Sequence, residues 1–325
     1  MADAVLNQLS AANIFDLRGV VAVVTGGGTG IGLMISSTLL ANGATVYIIG
    51  PNQVDLDKVA SIYNEGAEKT GRPGRVYGLA GDVRSKSEAL RLVDEVGKRE
   101  KHVTALFNNA GVLAGVSAHP TANTAEAFRS AYLDAITPEH FANSLNTNAV
   151  GPYWLTFAFL PLLEKWKAYE SGNRRFAPQV IMTSSMNGWT KASYQLWRLD
   201  INTAGRSYPY MFSKAAIGQA TATLAHELLP LGIRVNGIAP GLFQTEMTAP
   251  GTADAVGQSH IPEGAKQEFE VPATQPALVQ GGRAPYGGSN RDMGSLALFL
   301  VGNWFVNGET VLIDGGTMLL HPSSY

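Results

Sequence analysis

The amino-acid sequence predicts an α/β fold in which helices cover both faces of one doubly wound parallel sheet. Seven short apolar runs, rich in β-branched residues, alternate with helical periodicity or loops. These runs are continuously apolar rather than alternating, which is typical of strands buried on both faces. Both observations favour a single layered domain over separate all-helical or all-strand units.

The predicted strands cover residues 20–24, 44–49, 75–79, 103–107, 179–183, 233–238 and 310–313. The two longest helices are expected at residues 143–169 and 208–229. Residues 1–18 are expected to form an N-terminal arm, and residues 19–325 one domain. Residues 242–290 contain five prolines and seven glycines without a sustained period, which predicts an irregular excursion that serves as a lid.

Composition excludes several classes of function. Of the 325 residues 45% are hydrophobic and 15% charged, so the chain can bury a large core. The net charge of −2, with no basic cluster, argues against a nucleic-acid partner. Without cysteine there is no disulfide, thiolate zinc site or cysteine nucleophile, and the six scattered histidines predict no metal site.

The most apolar run, residues 153–163, is too short to cross a bilayer and contains Pro161, so it is expected to be a buried helix. The N-terminus lacks the basic start of a signal peptide, and the last four residues are no peroxisomal address. We therefore expect a cytoplasmic protein without a membrane partner.

A glycine-rich turn follows the first predicted strand and opens the first long helix, with the sequence Thr25-Gly26-Gly27-Gly28-Thr29-Gly30-Ile31-Gly32. Such a turn lets backbone amides and the helix N-terminus approach a pyrophosphate, although glycines also make tight turns without any ligand. Its position at the first strand, with further strand and helix units behind it, favours a dinucleotide site.

Five motifs in chain order resemble the short-chain dehydrogenase/reductase family. They are the glycine-rich turn, Asp82 after the third strand, Asn108-Asn109-Ala110-Gly111 after the fourth, Ser184-Ser185 with Tyr210-Met211-Phe212-Ser213-Lys214, and Asn236-Gly237-Ile238-Ala239-Pro240-Gly241 with Thr245. The resemblance runs from about residue 19 to residue 316. It implies a Rossmann-type fold and an NAD(P)-dependent oxidoreductase that transfers hydride between nicotinamide and a carbonyl or secondary alcohol.

The resemblance also suggests which residues meet the cofactor and the substrate. The expected cofactor contacts are Thr25, Gly26, Gly28, Thr29, Gly30, Ile31, Gly32, Asn52, Asp82, Val83, Asn109, Ala110, Gly111, Tyr210, Lys214, Pro240, Gly241 and Thr245. The expected catalytic residues are Asn148, Ser185, Tyr210 and Lys214, with Asn148 holding a water near Lys214.

The chemistry of the Tyr210 and Lys214 pair agrees with this assignment. Four residues apart on a helix, the two side chains share one face. A nearby ammonium stabilises phenolate and moves the tyrosine pKa toward the range of a general acid or base. Ser185 is then the second hydrogen-bond donor to the carbonyl oxygen. In isolation the same pair would be a packed tyrosine beside a solvated lysine.

The choice between NADP and NAD depends on the turn after the second strand. That strand ends Ile49-Gly50-Pro51-Asn52, without the carboxylate that usually binds the ribose hydroxyls. Nothing there repels a 2′-phosphate, which favours NADP, yet Thr29 stands where relatives that use NADP often carry a basic residue. The alternative is that Asn52 caps a turn while NAD binds through backbone contacts.

Two segments are expected to border the substrate: the excursion over residues 242–290 and an extra segment near residues 190–207. Ser185 and Tyr210 are 25 residues apart, more than is usual in the family, and the extra segment contains Tyr194, Trp197, Arg198 and Arg206. With Trp189, Phe243, Met247, Phe269 and Tyr286, it predicts an apolar pocket for a bulky cyclic or aromatic ketone or its alcohol. Alternatively, the extra segment is a surface loop and these aromatic side chains pack on one another.

Residues 143–169 carry more apolar surface than one core-facing stripe needs, and residues 208–229 carry small residues that allow close helix approach. Together they predict a homodimer or homotetramer.

Two functions other than the oxidoreductase stay open. One is a non-redox step of natural-product synthesis on the same fold, and the other is a non-catalytic dinucleotide sensor. A sensor would be expected to lose Tyr210 or Lys214, and this chain keeps both.

Overall fold

Seven parallel strands form one sheet in the order β3-β2-β1-β4-β5-β6-β7 in a computed structural model that describes residues 2–165, 176–191, 206–260, 287–320 and 323–324. The strands are β1 Val21–Thr25, β2 Thr45–Gly50, β3 Arg75–Ala80, β4 Ala105–Asn108, β5 Gln179–Thr183, β6 Arg234–Pro240 and β7 Thr310–Ile313. All seven predicted strands are confirmed, each within two residues of its expected bounds.

The α-helices of the described ranges lie on both sides of this sheet. They are α1 Ala2–Gln8, α2 Ala11–Ile14, α3 Gly30–Ala41, α4 Gln53–Lys69, α5 Lys86–Gly97, α6 Ala125–Arg129, α7 Pro138–Leu145, α8 Gly151–Glu164, α9 Tyr208–Glu227, α10 Asn290–Gly302 and α11 Thr317–Leu320. None of them combines the length and the apolar character that a bilayer crossing requires.

Side chains of each strand alternate between two apolar layers, as strand geometry requires. In β1, Ala22 and Val24 belong to the cluster with α3 and α10, whereas Val21 and Val23 belong to the cluster with α5, α8 and α9. Because both faces are buried, the strand sequences contain few polar residues, which is why the runs were recognisable.

The strand order reverses at β1, which pairs with β2 on one side and with β4 on the other. In open α/β sheets, the chain diverges at such a point and leaves a crevice at the carboxyl ends of the strands. The glycine-rich turn and the segment after β4 both begin at this edge.

The predicted helix over residues 143–169 is helical throughout residues 143–164, but it contains a π-helical segment. The chain forms α7, then a π-helical segment Asn146–Val150, then α8 from Gly151. A Cβ on Gly151 would lie 2.8 Å from the carbonyl oxygen of Val83, so the chain approaches the end of β3 closely here. The helix expected at 208–229 is confirmed as α9.

Residues 242–260 contain no helix or strand, in agreement with the predicted excursion, while residues 261–286 lie outside the described ranges. One detail differs from the expectation. Phe243, predicted as an open pocket aromatic, is only 2% exposed because it packs into the apolar layer beside α10.

The N-terminal arm consists of α1 and α2, and Val5, Leu6 and Leu9 are exposed on it.

Candidate active site

The glycine-rich turn leaves the N-terminus of α3 open at the carboxyl edge of the sheet. Gly26 and Gly30 adopt φ angles of +62° and +49°, which favour glycine. A Cβ on Gly32 would collide with the carbonyl oxygen of Gly26, and one on Gly30 would lie 3.2 Å from the Thr245 side chain. The glycines therefore allow this tight turn, and Gly26, Gly30 and Ile31 line an open space beside the first amides of α3.

Thr25 joins this turn to the segment after β4. Its Oγ1 accepts hydrogen bonds from the backbone N–H groups of Asn109 and Ala110, both at 2.9 Å, and donates to the Phe107 carbonyl oxygen at 3.3 Å. The Asn109 side chain donates back to the Thr25 carbonyl oxygen at 3.1 Å. Thr25 is thus buried among these partners and holds the two walls of the crevice in register.

A cavity of about 650 Å³, here called the β2-side cavity, lies on one side of the crevice. Its lining includes Gly50, Pro51, Asp82, Val83 and Arg84. Arg84 binds Asp82 in a bidentate pair with N···O distances of 2.9 and 2.7 Å, and this hydrogen bonding lowers the pKa of Asp82.

A second ion pair stands at the same cavity. Arg91 and Glu88, which also line it, approach to 2.7 Å. Asp82 is paired with Arg84 and Glu88 with Arg91, so each carboxylate among the described lining residues of this cavity is paired with a guanidinium. The β2-side cavity therefore has no uncompensated negative charge among its described lining residues.

Asn52, a predicted cofactor contact, lies outside the lining of this cavity. Its Oδ1 accepts a hydrogen bond from the Val54 N–H at 3.0 Å and so caps the N-terminus of α4. This is the alternative that the sequence left open for Asn52. Gly28 is also outside the lining, and a Cβ there would lie 3.2 Å from Leu56 of α4.

A second cavity of about 230 Å³, the α9-side cavity, opens on the other side of the glycine-rich turn. Its lining includes most of the other predicted residues, although neither Thr25 nor Gly32, and several residues the sequence did not single out. The predicted ones are Thr29, Gly30, Ile31, Asn109, Ser185, Tyr210, Lys214, Pro240, Gly241, Thr245 and, from the predicted apolar pocket, Met247, and the others include Leu113, Asn187 and Leu242. Gly26, Ala110 and Gly111 line both cavities, so the two meet in one trough.

Tyr210 and Lys214 project from the first turns of α9 into this second cavity and are 7% and 3% exposed. The Lys214 Nζ donates to the Thr183 carbonyl oxygen at 2.8 Å and lies 5.6 Å from the centre of the Tyr210 ring. The two side chains share one helix face, as their spacing predicts.

Burial dominates the electrostatics of this pair. It lowers the pKa of Lys214 to about 8, because an apolar surrounding disfavours the ammonium. It also raises the pKa of Tyr210, and a hydrogen bond with Ser185 lowers that pKa in part. The net direction for Tyr210 is opposite to the one expected from the spacing with Lys214, since desolvation outweighs the hydrogen bond with Ser185.

Asn148 lies in the π-helical segment and is buried behind the cavity rather than in its lining. Its Nδ2 donates to Ser213 Oγ at 2.9 Å and to the Val112 carbonyl oxygen at 3.0 Å, and its Oδ1 accepts from the Val112 N–H at 2.8 Å. A Cβ on Gly111 would lie 3.3 Å from both Asn148 Oδ1 and Lys214 Nζ, so these two polar groups flank Gly111.

One supporting residue, Ser207, was absent from the sequence-based prediction. Ser207 caps α9, since its Oγ accepts from the Tyr210 N–H at 3.1 Å and donates to the Ala114 carbonyl oxygen at 2.6 Å. A serine directly before the first residue of a helix is a recognisable N-cap signal.

Five residues that the sequence predicts near the substrate lie outside the described residues: Tyr194, Trp197, Arg198, Phe269 and Tyr286.

Comparison with known proteins agrees with this architecture. The family described as short chain dehydrogenase matches residues 20–255. The short-chain dehydrogenase/reductase PhomF of Diaporthe leptostromiformis is 33% identical over 100% of both chains. The 3-oxoacyl-[acyl-carrier-protein] reductase of rhamnolipid biosynthesis from Pseudomonas aeruginosa is 28% identical, over 93% of this chain and 97% of its own.

A solved structure, the Pseudomonas aeruginosa RhlG/NADP active-site complex, superposes with a TM-score of 0.70 at 27% identity and covers 93% of this chain and 98% of its own. The chain therefore belongs to the short-chain dehydrogenase/reductase family. It is an NAD(P)-dependent oxidoreductase that acts on carbonyl or alcohol groups, which confirms the sequence-based expectation.

Proposed function

We propose that this oxidoreductase interconverts a bulky apolar ketone and its secondary alcohol, with Tyr210 as general acid and base. The observation that carries the proposal is one buried wall of the α9-side cavity. There Ser185, Tyr210 and Lys214 stand together, beyond the open glycine-rich turn. A dinucleotide laid along the trough would bring its nicotinamide end to this wall.

The residues of this wall divide the chemistry between them. Ser185 and Tyr210 hydroxyl groups would hold the substrate carbonyl oxygen, which fixes the carbonyl carbon beside the cofactor. The nicotinamide, when bound, supplies or accepts the hydride. During reduction the Tyr210 hydroxyl gives its proton to the carbonyl oxygen, so the products are the alcohol and a tyrosinate. During oxidation the same proton returns to Tyr210.

Lys214 would stabilise the tyrosinate. Its Nζ is buried and close to the Tyr210 ring, where a charge is worth more than in water. Asn148 would act through its bonds to Ser213 and Val112, which fix the start of α9 against the segment after β4. The set Asn148, Ser185, Tyr210 and Lys214 thus forms a connected unit from cavity wall to supporting layer.

We infer that the cofactor lies along both cavities. The amides of Thr29, Gly30 and Ile31 would face the pyrophosphate, and Asp82 and Val83 the adenine side. Gly28 and Gly32 would serve by their small size, and Thr25 by fixing Asn109 and Ala110. Pro240, Gly241 and Thr245 would close the nicotinamide side.

NADP is the preferred cofactor in this proposal. The support is the absence of a carboxylate at Gly50 and Pro51, together with the pairing of Asp82 and Glu88 with arginines in the β2-side cavity. A 2′-phosphate would meet no unpaired carboxylate there among the described residues. The RhlG structure was solved with NADP.

The proposed substrate follows from the other cavity. Leu113, Leu242 and Met247 line it beside the hydroxyl groups of Ser185 and Tyr210. Such a lining favours a ketone with apolar bulk over a small sugar or hydroxy acid. The relative from rhamnolipid biosynthesis is named as a 3-oxoacyl-[acyl-carrier-protein] reductase, so its name also gives a ketone as substrate.

The test is steady-state reduction of a graded panel of ketones by the purified protein, with NADPH and with NADH. The proposal expects kcat/KM to rise from short aliphatic ketones to cyclic and aromatic ones, and to be higher with NADPH. High activity on short aliphatic carbonyls with none on bulky ketones would overturn the substrate assignment and leave the oxidoreductase class intact.

We also propose a homodimer or homotetramer built on α8 and α9. Tyr153 and Phe212, on these two helices, are 50% and 54% exposed, and Phe157 stands beside Tyr153 with ring centres 4.8 Å apart. Exposed aromatic groups on a long helix are typical of a protein interface. Light scattering at micromolar concentration should give a multiple of the chain mass, and a monomer would contradict this assembly.

A further inference from the structure

The chain beyond β7 folds back toward the substrate side of the sheet. Asp314 caps α11, since its carboxylate accepts hydrogen bonds from the N–H groups of Gly316 at 2.9 Å and Met318 at 2.7 Å. Thr317 Oγ1 donates to the Asp314 carbonyl oxygen at 2.7 Å. This local network fixes the direction of the chain after the last strand and buries Met318.

Met318, Ser323 and Ser324 then contact the turn that follows Ser185, here called the Ser185 turn (residues 185–190). Thr190 Oγ1 lies 3.4 Å from Met318 Sδ, and Thr190 forms an antiparallel bridge with Ser323. The Trp189 carbonyl oxygen accepts hydrogen bonds from the Ser324 N–H at 2.9 Å and from Ser324 Oγ at 3.2 Å. Backbone and side-chain contacts thus attach the C-terminal residues to this turn.

The opposite side of the Ser185 turn rests on α9. A Cβ on Gly188 would lie 3.0 Å from the carbonyl carbon and oxygen of Lys214, so turn and helix are in direct contact. Ser184 Oγ donates to the same Lys214 carbonyl oxygen at 2.8 Å. The turn is therefore held between the catalytic helix proposed above and the C-terminal residues.

Within the turn, the Asn187 N–H donates to Ser185 Oγ at 3.2 Å, and both residues line the α9-side cavity. A displacement of the turn would move the Ser185 hydroxyl relative to Tyr210. The C-terminal segment also supports the opposite wall, because a Cβ on Gly241 would lie 2.6 Å from the Asp314 Cα. The chain after β7 thus supports two walls of the α9-side cavity.

We propose that Met318 and Ser324 are positioning residues of the active site. They fix the Ser185 turn against α9 and thereby set the distance between the hydroxyl groups of Ser185 and Tyr210. This inference rests on the proposed function, in which those two hydroxyl groups hold the carbonyl oxygen. Because a misplacement of about 1 Å in such a pair costs on the order of a hundredfold in rate, even a small shift of the turn is measurable.

The experiment compares Ser324→Pro with Ser324→Ala. The proline removes the backbone donor to Trp189, whereas the alanine keeps that donor and removes only the hydroxyl. Ser323 is extended in its bridge, a conformation that a following proline tolerates. Met318→Ala is a second variant that loosens the packing without changing the backbone.

For Ser324→Pro we expect kcat for the best ketone to fall about tenfold while NADPH affinity and the melting temperature stay at wild-type values. Met318→Ala empties a buried position, so it should lower the melting temperature as well as kcat, with NADPH affinity unchanged. Ser324→Ala should stay close to wild type. A merely structural tail would lower the melting temperature and leave kcat unchanged. Equal kcat in Ser324→Pro and Ser324→Ala would overturn the proposal.

Amide hydrogen exchange gives a readout that does not depend on turnover. The N–H groups of Asn187, Gly188 and Trp189 should exchange faster in Ser324→Pro than in Ser324→Ala. If no ketone is reduced by the wild type, the proposed function fails, and the exchange rates still decide the positioning role. Unchanged exchange in the turn would contradict it.

Discussion

The two cavities that meet at the glycine-rich turn are built in different ways. The β2-side cavity is lined mainly by strand ends and by the residues directly after them, such as Gly50, Pro51 and Asp82. The α9-side cavity adds an irregular segment, with Leu242 and Met247, and a turn supported from the C-terminus. The β2-side cavity, proposed to hold part of the cofactor, is thus formed by residues next to the strands in sequence. The α9-side cavity, proposed to hold the substrate, is formed by contacts between distant parts of the chain.

This difference explains how one fold accepts many substrates. Strand ends are fixed by a sheet whose residues are buried on both faces, so a ligand site placed on them varies little. A wall made of loops can change its side chains without disturbing the sheet. The most severe substitutions should therefore lie in the glycine-rich turn, and graded effects should lie in the other walls.

The largest effect is expected from Gly32→Ala. The added methyl group collides with the Gly26 carbonyl oxygen and crowds the Asn109 side-chain nitrogen at 2.6 Å, so the turn cannot keep its shape. We expect NADPH binding, followed by fluorescence titration, to be lost, with a lower melting temperature.

Gly66→Ala is the matched control for this change. Gly66 lies in α4, and among the described residues no atom beyond its own stretch of helix lies within 4 Å of the position that an added methyl group would take. Alanine there should therefore leave binding intact and raise stability by up to about 1 kcal/mol. If Gly32→Ala binds NADPH as Gly66→Ala does, the turn does not hold the pyrophosphate.

The second-largest effect is expected in the pH dependence of ketone reduction, which we attribute to the Lys214 ammonium. With its pKa lowered to about 8, the ammonium is present below that pH and is lost as the pH rises through it. Burial raises the pKa of Tyr210, so Tyr210 stays protonated in the same range. We therefore expect kcat/KM for ketone reduction to fall about tenfold per pH unit above this value.

Lys214→Arg distinguishes this origin from others, because a guanidinium stays charged throughout the accessible range. The variant should be slower than the wild type, yet its profile should lack the fall near pH 8. A wild-type profile that is flat to about pH 10, or a fall that persists in Lys214→Arg, would argue against an ammonium requirement.

The smallest effect is expected at the β2-side cavity. Pro51→Asp places a carboxylate at the turn after β2, where it can accept from ribose hydroxyls and repel a 2′-phosphate. The ratio of kcat/KM for NADPH over NADH should fall about tenfold, a value typical of one partly solvated charge. Pro51→Ala, which adds no charge, should leave the ratio unchanged, and equal ratios in both variants would refute the proposed 2′-phosphate position.

The features that could be predicted from the sequence are those with a local signal. The seven strands were recognisable because strands buried on both faces must be continuously apolar. Tyr210 and Lys214 were found together because helix geometry brings residues four apart to one face. Their pKa directions were not accessible, since burial depends on every element packed around them.

The supporting contacts were missed for a similar reason. Ser324 reaches Trp189 across 135 residues, and no periodicity links the two positions. The helix expected at 143–169 is present in its described part, but the π-helical segment Asn146–Val150 within it carries no signal in the apolar pattern. Asn52 carried a capping signal that competed with its predicted cofactor contact, and the structure uses it as a cap.

The central claim is that Tyr210 exchanges the proton with the substrate oxygen, and Tyr210→Phe tests it most directly. Phenylalanine keeps the buried ring beside Lys214 and removes only the hydroxyl group. We predict that ketone reduction falls by at least about a hundredfold, the lower range for loss of a general acid, while NADPH binds with wild-type affinity. A Tyr210→Phe variant that keeps most of the wild-type rate would contradict the assignment.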